Sequence, residues 1–352
     1  MINVISLFSG GGGIDAGFHN AGFNIVYSTD LVQDACNTIL MNNPNQVVDC
    51  VDIRQINFKE LKDRLNIQSV DCLVGGPPCP AYSKSRFYRT EKKRALEDEN
   101  SFTLKEYFRA IEQVKPRVFF FENVHGFIYK PHQDAFLFLK EMSEKLNYEI
   151  SWKVVNAANY GVPQTRERFI CVGVSKELGK KFIFPEETHR NPELFDLFNT
   201  TERLPWVTCG DVLNDIDYEL PEDEKLRAGS KHKDLLELIP PGDNYLFFTA
   251  ERGYPSPIFK WRSRYWSFLL KLSPDRPSWT IQASFSNNMG PFHWKNRFLR
   301  IQEIKRIQTF RDDYVLDGDF RSQWRQIGNA VPPLLVEKFA ASIKEQLFTN
   351  TN

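Results

Sequence analysis

Ile2-Asn3-Val4-Ile5-Ser6-Leu7-Phe8-Ser9-Gly10-Gly11-Gly12-Gly13-Ile14-Asp15-Ala16 stands at the start of the chain and decides its fold class. Residues 2–8 are an apolar β-type run, the glycines make a tight turn, and the residues beyond them can start a helix. Working outward, Phe23 to Ser28 reads as a second strand ending at Asp30, and Val70 to Val74 as another. Arg117 to Phe121 supplies a fourth, which runs into Glu122-Asn123-Val124. Between the last two, Leu104, Tyr107, Phe108, Ile111 and Val114 keep the spacing of a helix with one buried face. Strands alternating with helices predict an α/β fold with a doubly wound, Rossmann-like, mostly parallel sheet covered on both faces.

A chain of 352 residues exceeds the usual single-domain size, so a second, smaller unit is expected. After about residue 175 the texture changes to Pro, aromatic and charged residues, as in Pro240-Pro241-Gly242-Asp243-Asn244 and Pro255-Ser256-Pro257, which predicts a loop-rich domain. Beyond Pro332-Pro333, Leu335, Phe339, Ile343 and Leu347 recur at helical spacing and need a core to pack on, which the first domain offers. Acidic and basic side chains balance at 45 each, which excludes a uniformly basic nucleic-acid binder and leaves room for local patches. The six cysteines, Cys36, Cys50, Cys72, Cys79, Cys171 and Cys209, lack C-x-x-C spacing, and the histidines do not cluster around them, so neither a zinc site nor a disulfide framework is expected. No charged leader with a cleavage site opens the chain and no apolar run is long enough to span a bilayer, so the expectation is a soluble protein of a reducing cytoplasm, with no membrane and no metal.

Gly11-Gly12-Gly13-Ile14-Asp15-Ala16 satisfies the G-x-G-x-x-G/A template, with Asp30 beyond the next strand to take ribose hydroxyls. That pattern suits an adenosine-containing cofactor in general, a nicotinamide dehydrogenase as well as a methyltransferase. Asp52-Ile53 offers a further acidic position for an adenine amino group, although a surface aspartate reads the same way. Gly75-Gly76-Pro77-Pro78-Cys79-Pro80 places Cys79 on a loop just past a strand's carboxyl end, where open α/β sheets do their chemistry. Its flanking prolines deny that loop a regular ladder or helix, so a held and accessible nucleophile is the reading here, against the usual fate of a free cysteine as a small buried hydrophobe.

Together with Cys79, a strand-end carboxylate at Glu122 and the doublet in Gln164-Thr165-Arg166-Glu167-Arg168 suit addition to a pyrimidine. Carbon 5 of cytosine is a poor nucleophile, so a catalyst first adds to carbon 6, a task for a thiolate. The charge that develops on the ring is met at nitrogen 3 by a carboxylic acid whose pKa burial has raised, and Glu122 leaves the apolar segment Phe119-Phe120-Phe121. Arg166 and Arg168 alternate at the start of another strand and so share a face. Their planar forks suit a base carbonyl and a phosphate, as they also suit surface ion pairs. Tyr82 to Arg94, with Ser83, Lys84, Ser85 and Arg86, reads as a basic loop that closes over a phosphate backbone, or as a solvated lysine-rich loop. Lys260-Trp261-Arg262-Ser263-Arg264-Tyr265-Trp266, followed by His293, Trp294, Lys295, Arg297 and Arg300, suits either DNA groove contact, through Arg262 and Arg264, or the core rim of a small domain.

Phe8-Ser9-Gly10-Gly11-Gly12-Gly13, Gly76-Pro77-Pro78-Cys79, Phe121-Glu122-Asn123-Val124, Gln164-Thr165-Arg166-Glu167-Arg168 and Gln326-Ile327-Gly328-Asn329-Ala330-Val331-Pro332 occur in the order of the DNA (cytosine-5)-methyltransferases, which the chain resembles over most of its length. The resemblance implies S-adenosyl-L-methionine as cofactor and double-stranded DNA gripped between two domains. It implies a catalytic, cofactor-binding domain at 1–180 completed by 326–352, with target recognition at 181–325. Pro277-Ser278-Trp279-Thr280-Ile281-Gln282-Ala283 resembles the closing border of the family's variable segment. By the same resemblance Cys79 is the nucleophile and Glu122 the partner of ring nitrogen 3, while Asn123 braces the nucleophile loop. Arg168 helps hold the base and Arg166 the neighbouring backbone. Phe8, Gly10, Gly12, Asp30, Asp52, Ile53, Pro78 and Asn329 line the cofactor site. Ser6 departs from the family's frequent Asp, and Arg300, Gln302 and Arg311 stand where Thr, Arg and Pro are common; none is a catalytic group.

The expected activity is therefore sequence-specific DNA cytosine-5 methylation of the bacterial restriction-modification type, by a monomer near the nucleoid with a possible cognate endonuclease. Three rivals remain at this level: the same chemistry on RNA, a silent DNA-binding homologue, and a nicotinamide oxidoreductase. The last leaves Pro77-Pro78-Cys79 and the arginine doublet without a role.

Overall fold

The segment that carries the phenylalanines, Val118–Val124, is a central strand whose side chains split between two cores, as a strand buried on both faces requires. Phe120 joins one core, and Phe119 and Phe121 join the other. All three are fully buried, a contribution of about 1.5–3 kcal/mol each. The computed structural model describes residues 1–78, 102–193, 202–228, 231–284 and 286–349. Within them, a seven-stranded sheet comprises β1 (Asn3–Leu7), β2 (Asn24–Asp30), β3 (Val47–Cys50), β4 (Cys72–Gly75), β5 (Val118–Val124), β6 (Tyr148–Asn156) and β7 (Glu167–Ser175). Its order is β3-β2-β1-β4-β5-β7-β6. The strands from β3 to β5 pair in parallel, and β7 runs antiparallel to both β5 and β6.

Helices cover both faces, as expected for a doubly wound sheet; α2 (Gln33–Asn42) follows β2 and α4 (Gln133–Lys145) follows β5. On one lie α1 (Gly13–Asn20) and α7 (Pro333–Ile343), whose Phe18, Phe339 and Ile343 pack with Val4, Val74 and Phe120. On the other lies α3 (Phe102–Val114), whose Leu104, Tyr107, Phe108, Ile111 and Val114 pack with Ile5, Leu73 and Phe119. The C-terminal helix thus returns to the first domain.

A third core joins Leu213, Leu272, Ile281, Leu299 and Phe310 to α5 (Ile301–Ile307) and to α6 (Phe320–Asn329) through Ile304, Ile307, Trp324 and Ile327. The expected junction between residues 325 and 326 falls inside α6, whose Trp324 and Ile327 share that core. A fourth core, around Tyr245, Phe248, Phe268, Phe292 and Phe298, supports the loop-rich segment. Its base is ionic: Arg297 grips Glu303 at 2.9 and 2.7 Å, and Arg300 grips Asp223 at 2.8 and 2.5 Å while also donating to the Ile216 and Tyr218 carbonyls. Lys295 and Trp294 are spent on Asp217. The second half of the basic and aromatic stretch is therefore the internal frame of this domain and not a groove contact. Among the described residues no helix is long and apolar enough to cross a membrane, and no cluster of three potential metal ligands occurs.

Candidate active site

Sheet order reverses between β1 and β4, and the expected site residues fall on either side of that switch point, at the carboxyl ends of the strands. Beyond β1, Phe8, Gly10 and Gly12 all have positive φ, at 55°, 52° and 77°. A Cβ on Gly10 would meet nothing within 4 Å, so backbone conformation and not packing selects glycine there, and open space lies in front of it. The loop is tied to β2: the Gly10 N–H donates to Asp30 Oδ2 at 2.8 Å and the Ser9 N–H to the Thr29 carbonyl at 3.0 Å. Val51 in turn donates to the Asp30 carbonyl at 3.1 Å, which brings Asp52 to the same edge. Phe8, Gly10, Gly12, Asp30 and Asp52 are thus gathered along three adjacent strand ends.

Their detail refines the expectation. Arg54 pairs with Asp52 and holds its carboxyl down at about 2, so the Asp52 carboxylate is already engaged at the tip of a 3-10 turn. The Ile53 side chain is buried in the second core, and its carbonyl already accepts from Arg109 Nη2 at 2.8 Å and from the Ile56 N–H at 3.2 Å. Leu31, just past Asp30, is 70% exposed, an apolar surface beside the Asp30 carboxylate that no local pattern announces. Under the loop, Ser6, Ser28 and Gln46 all donate toward the buried Asp15, whose carboxyl burial pushes up. Above it, the Tyr314 hydroxyl donates to the Gly11 carbonyl at 2.9 Å, and a Cβ on Gly12 would lie 2.3 Å from that hydroxyl. Tyr314 comes from a segment without periodic signal, so no local pattern announces it. An acceptor for ribose hydroxyls, left-handed glycines facing open space and a neighbouring apolar side chain fit a nucleoside-type cofactor.

On the other side of the switch point, β4 ends at Gly75 and leads through Gly76, Pro77 and Pro78 toward Cys79. Cys79 and the basic-loop candidates Ser83, Lys84, Ser85 and Arg86 lie outside the described residues. Asn123 Nδ2 donates to the Pro77 carbonyl at 3.2 Å, and Thr103 Oγ1 to the Pro78 carbonyl at 3.0 Å, so the approach to Cys79 is braced from β5 and α3. Glu122 projects over Gly76: a Cβ there would sit 2.7 Å from Glu122 Oε2. Arg168 Nε reaches Glu122 Oε1 at 2.8 Å, both side chains being 11% exposed. Burial pushes the Glu122 carboxyl up, while Arg168 and then Arg166 pull it down, so it remains above its ordinary value. Burial pushes the thiols of Cys36, Cys72, Cys171 and Cys209 up, which keeps them protonated and unreactive.

Arg166 departs from its expected contact with the DNA backbone. It is 1% exposed, and its guanidinium donates to the carbonyls of Ile281 at 3.1 Å, Gly328 at 2.9 Å and Ala330 at 3.0 Å, with a longer contact of 3.5 Å to that of Asn329. The side chain is a tie between strand, border segment and the end of α6, buried away from any phosphate. Asn329 itself is exposed at that helix end. Arg262 and Arg264 lie on the exposed run of the fourth-core domain.

The profile of the family described as C-5 cytosine-specific DNA methylase matches residues 2–345. The chain is 38% identical to the Type II methyltransferase M.SacI of Streptomyces achromogenes, over 98% of this chain and 93% of that protein. It is 33% identical to the Type II methyltransferase M.NgoFVII of Neisseria gonorrhoeae, over 97% of this chain and 86% of that protein. The fold is similar to that of the Entamoeba histolytica methyltransferase EhMeth, with a TM-score of 0.64, 17% identity and 99% of each chain covered.

Proposed function

This chain belongs to the C-5 cytosine-specific DNA methylase family, and from that premise we propose that it acts on a cytosine flipped out of duplex DNA, through a covalent adduct on Cys79 with Glu122 as the acid. It is a sequence-specific DNA cytosine-5 methyltransferase of the restriction-modification type that uses S-adenosyl-L-methionine. The observation that carries the mechanism is the Glu122 carboxyl, raised by burial, aimed over Gly76 at the root of the Cys79 loop and fixed by Arg168 at 2.8 Å.

Neither face of a cytosine ring is reachable in a stacked duplex, so the base leaves the helix first. The Cys79 thiolate adds to carbon 6, and Glu122 gives its proton to ring nitrogen 3, so the ring becomes an enamine nucleophilic at carbon 5. Arg168 orients the carboxyl and, with its remaining donors, holds the base's carbonyl oxygen. Asn123 holds the Pro77 peptide, two residues before the nucleophile. When bound, the cofactor supplies a sulfonium methyl group; Phe8, Gly10, Gly12, Asp30, Asp52, Ile53, Pro78 and Asn329 would hold it, with Leu31 against its adenosine. Glu122 takes the nitrogen 3 proton back, and loss of the carbon 5 proton to solvent then breaks the bond from carbon 6 to sulfur, releases the Cys79 thiolate and restores aromaticity. Ser83, Lys84, Ser85, Arg86, Arg262 and Arg264 contact DNA in this scheme, with residues 1–180 and 326–352 as the catalytic part and 181–325 as the recognition part. The enzyme works as a monomer at the bacterial nucleoid, alongside a cognate endonuclease for the same sequence.

The test is to incubate the protein with S-adenosyl-L-methionine and unmethylated plasmid DNA and map protected cytosines by bisulfite sequencing, with Cys79→Ser as control. Protection of one short recurring sequence, lost in the control, is the expected result. Protection that survives in Cys79→Ser would sink the covalent mechanism.

A further inference from the structure

Lys260, Trp261, Arg262, Ser263, Arg264, Tyr265 and Trp266 are consecutive exposed residues, and Ser267, next in line, is buried. The backbone beneath them is held. The Tyr245 hydroxyl donates to the Arg264 carbonyl at 2.9 Å and lies 3.2 Å from the Arg264 N–H, while the buried Asn244 donates to the Trp266 carbonyl at 2.8 Å. A fold that pins this strip to its core through Tyr245 and Asn244 while leaving three aromatic rings in water has kept those rings for another surface. Trp266 is 48% exposed, and its ring meets that of Trp279, 42% exposed, edge-on at 5.4 Å between centroids.

Trp279 is also a neighbour of the active site. The two-residue strand Ser278–Trp279 pairs in parallel with Gln164–Thr165, with Trp279 opposite Thr165. Three residues on from Thr165 stands Arg168, which grips Glu122. That is at most about 10 Å of extended chain. The aromatic pair therefore borders the place where the extruded cytosine would sit. Among the described residues no ion pair engages Lys260, Arg262 or Arg264; Arg262 lies over the Trp261 ring and Arg264 over that of Phe268, each at 5.8 Å, so the strip offers exposed cations with its aromatic rings.

We propose that Trp266 and Trp279 form a stacking wedge against duplex DNA beside the target cytosine, with Lys260, Arg262 and Arg264 on the adjoining phosphates. The proposal rests on the DNA-methylation reading of the same cleft. Extruding a base uncovers the faces of its neighbours, and indole rings replace part of the lost stacking. A second copy of the chain is the poorer occupant, because a two-fold contact through this strip would set the three cations of one copy against the same three of the other.

The experiment measures binding of fluorescent duplex fragments of unmethylated plasmid DNA, and the KM and kcat of plasmid methylation, for Trp266→Ala, Trp279→Ala and the corresponding Phe variants. Each Ala variant is expected to bind DNA about 5- to 150-fold more weakly and to raise the KM for DNA, with cofactor binding unchanged and with Phe restoring most of the loss. Ala variants that bind and methylate as the parent does would overturn the wedge while leaving the methylation reading intact. A parent dimer that the Ala variants dissociate, with DNA affinity unmoved, would overturn it too. Loss of DNA binding on Ala substitution in a protein that methylates no plasmid cytosine would instead support the wedge and refute the methylation reading.

Discussion

Gly76→Ala isolates the placement of the acid from every other part of the site. The φ of Gly76 lies outside the left-handed region, so alanine meets no backbone penalty, and the effect of the added methyl is steric. The new Cβ would sit 2.7 Å from Glu122 Oε2, about 0.7 Å inside the 3.4 Å at which ordinary contact begins. The loop side is braced by Asn123 and Thr103, so the carboxyl gives way and its 2.8 Å contact with Arg168 stretches or breaks. A displacement of this size at a reacting group lowers kcat by about 10- to 100-fold. Overpacking lowers stability by about 1–3 kcal/mol, and DNA and cofactor affinities stay near parental values because neither contact set includes the methyl. Single-turnover methyl transfer to plasmid DNA at saturating cofactor reads the effect. A kcat within about twofold of the parent would refute the claim that Glu122 acts from this position.

Three further expectations follow from the same contacts. Tyr314→Phe removes one neutral hydrogen bond to the Gly11 carbonyl, so the cofactor KM rises about 2- to 10-fold with the DNA KM unmoved, as cofactor titration will read. Arg166→Lys cannot serve the carbonyls of residues 281, 328 and 330 at once; it destabilises the fold by about 3–5 kcal/mol by denaturant titration and leaves the salt dependence of DNA binding unchanged, whereas a phosphate contact would flatten the salt slope at full stability. Because the folded carboxyl of Glu122 lies above its ordinary value, its protonated form and its stabilising contribution persist below the unfolded pKa and fade as pH rises through the folded one. The basic limb of kcat therefore marks this group: Arg168→Gln, which removes the strongest downward pull, moves the limb to higher pH, and Glu122→Gln abolishes it.

The sheet was legible because its signals are local. Alternating apolar strands, a glycine turn and one helical stripe at 104–114 carry their own period, and the two cores on either face of β5 obey it. The grouping of Glu122, Asn123 and Arg168 was legible for a related reason, since a strand end fixes where its next side chains go. What stayed hidden depends on partners far away in sequence. Nothing around Tyr314 tells that its hydroxyl closes on a residue 303 positions earlier, and nothing around Arg166 tells that its acceptors are the backbone of 281 and 328–330. Arg297 and Arg300 stayed ambiguous for the same reason: an arginine beside aromatics suits a nucleic-acid contact or a domain's core rim equally until the acid that buries it, Glu303 or Asp223, is seen.

The contrast between Arg166 and Arg168 explains how the acid is held so firmly. Along Gln164-Thr165-Arg166-Glu167-Arg168, Gln164 bonds Gln308 at 2.6 Å, Thr165 bonds Ser278, Arg166 bonds the end of α6, Glu167 meets His125 at 2.9 Å and Arg168 meets Glu122. Five consecutive residues thus tie the segment around Ser278, the end of α6 and the strand of Glu122 to one short stretch of backbone. Removing a guanidinium from water costs several kcal/mol; backbone carbonyls meet the two terminal nitrogens of Arg166 while its buried Nε has no partner among the described residues, so the cage around it tolerates little displacement. Arg168, two residues on, inherits that fixed origin and delivers its charge to Glu122. The same geometry couples the acid to the segment around Trp279, because the Ile281 carbonyl that accepts from Arg166 belongs to that segment.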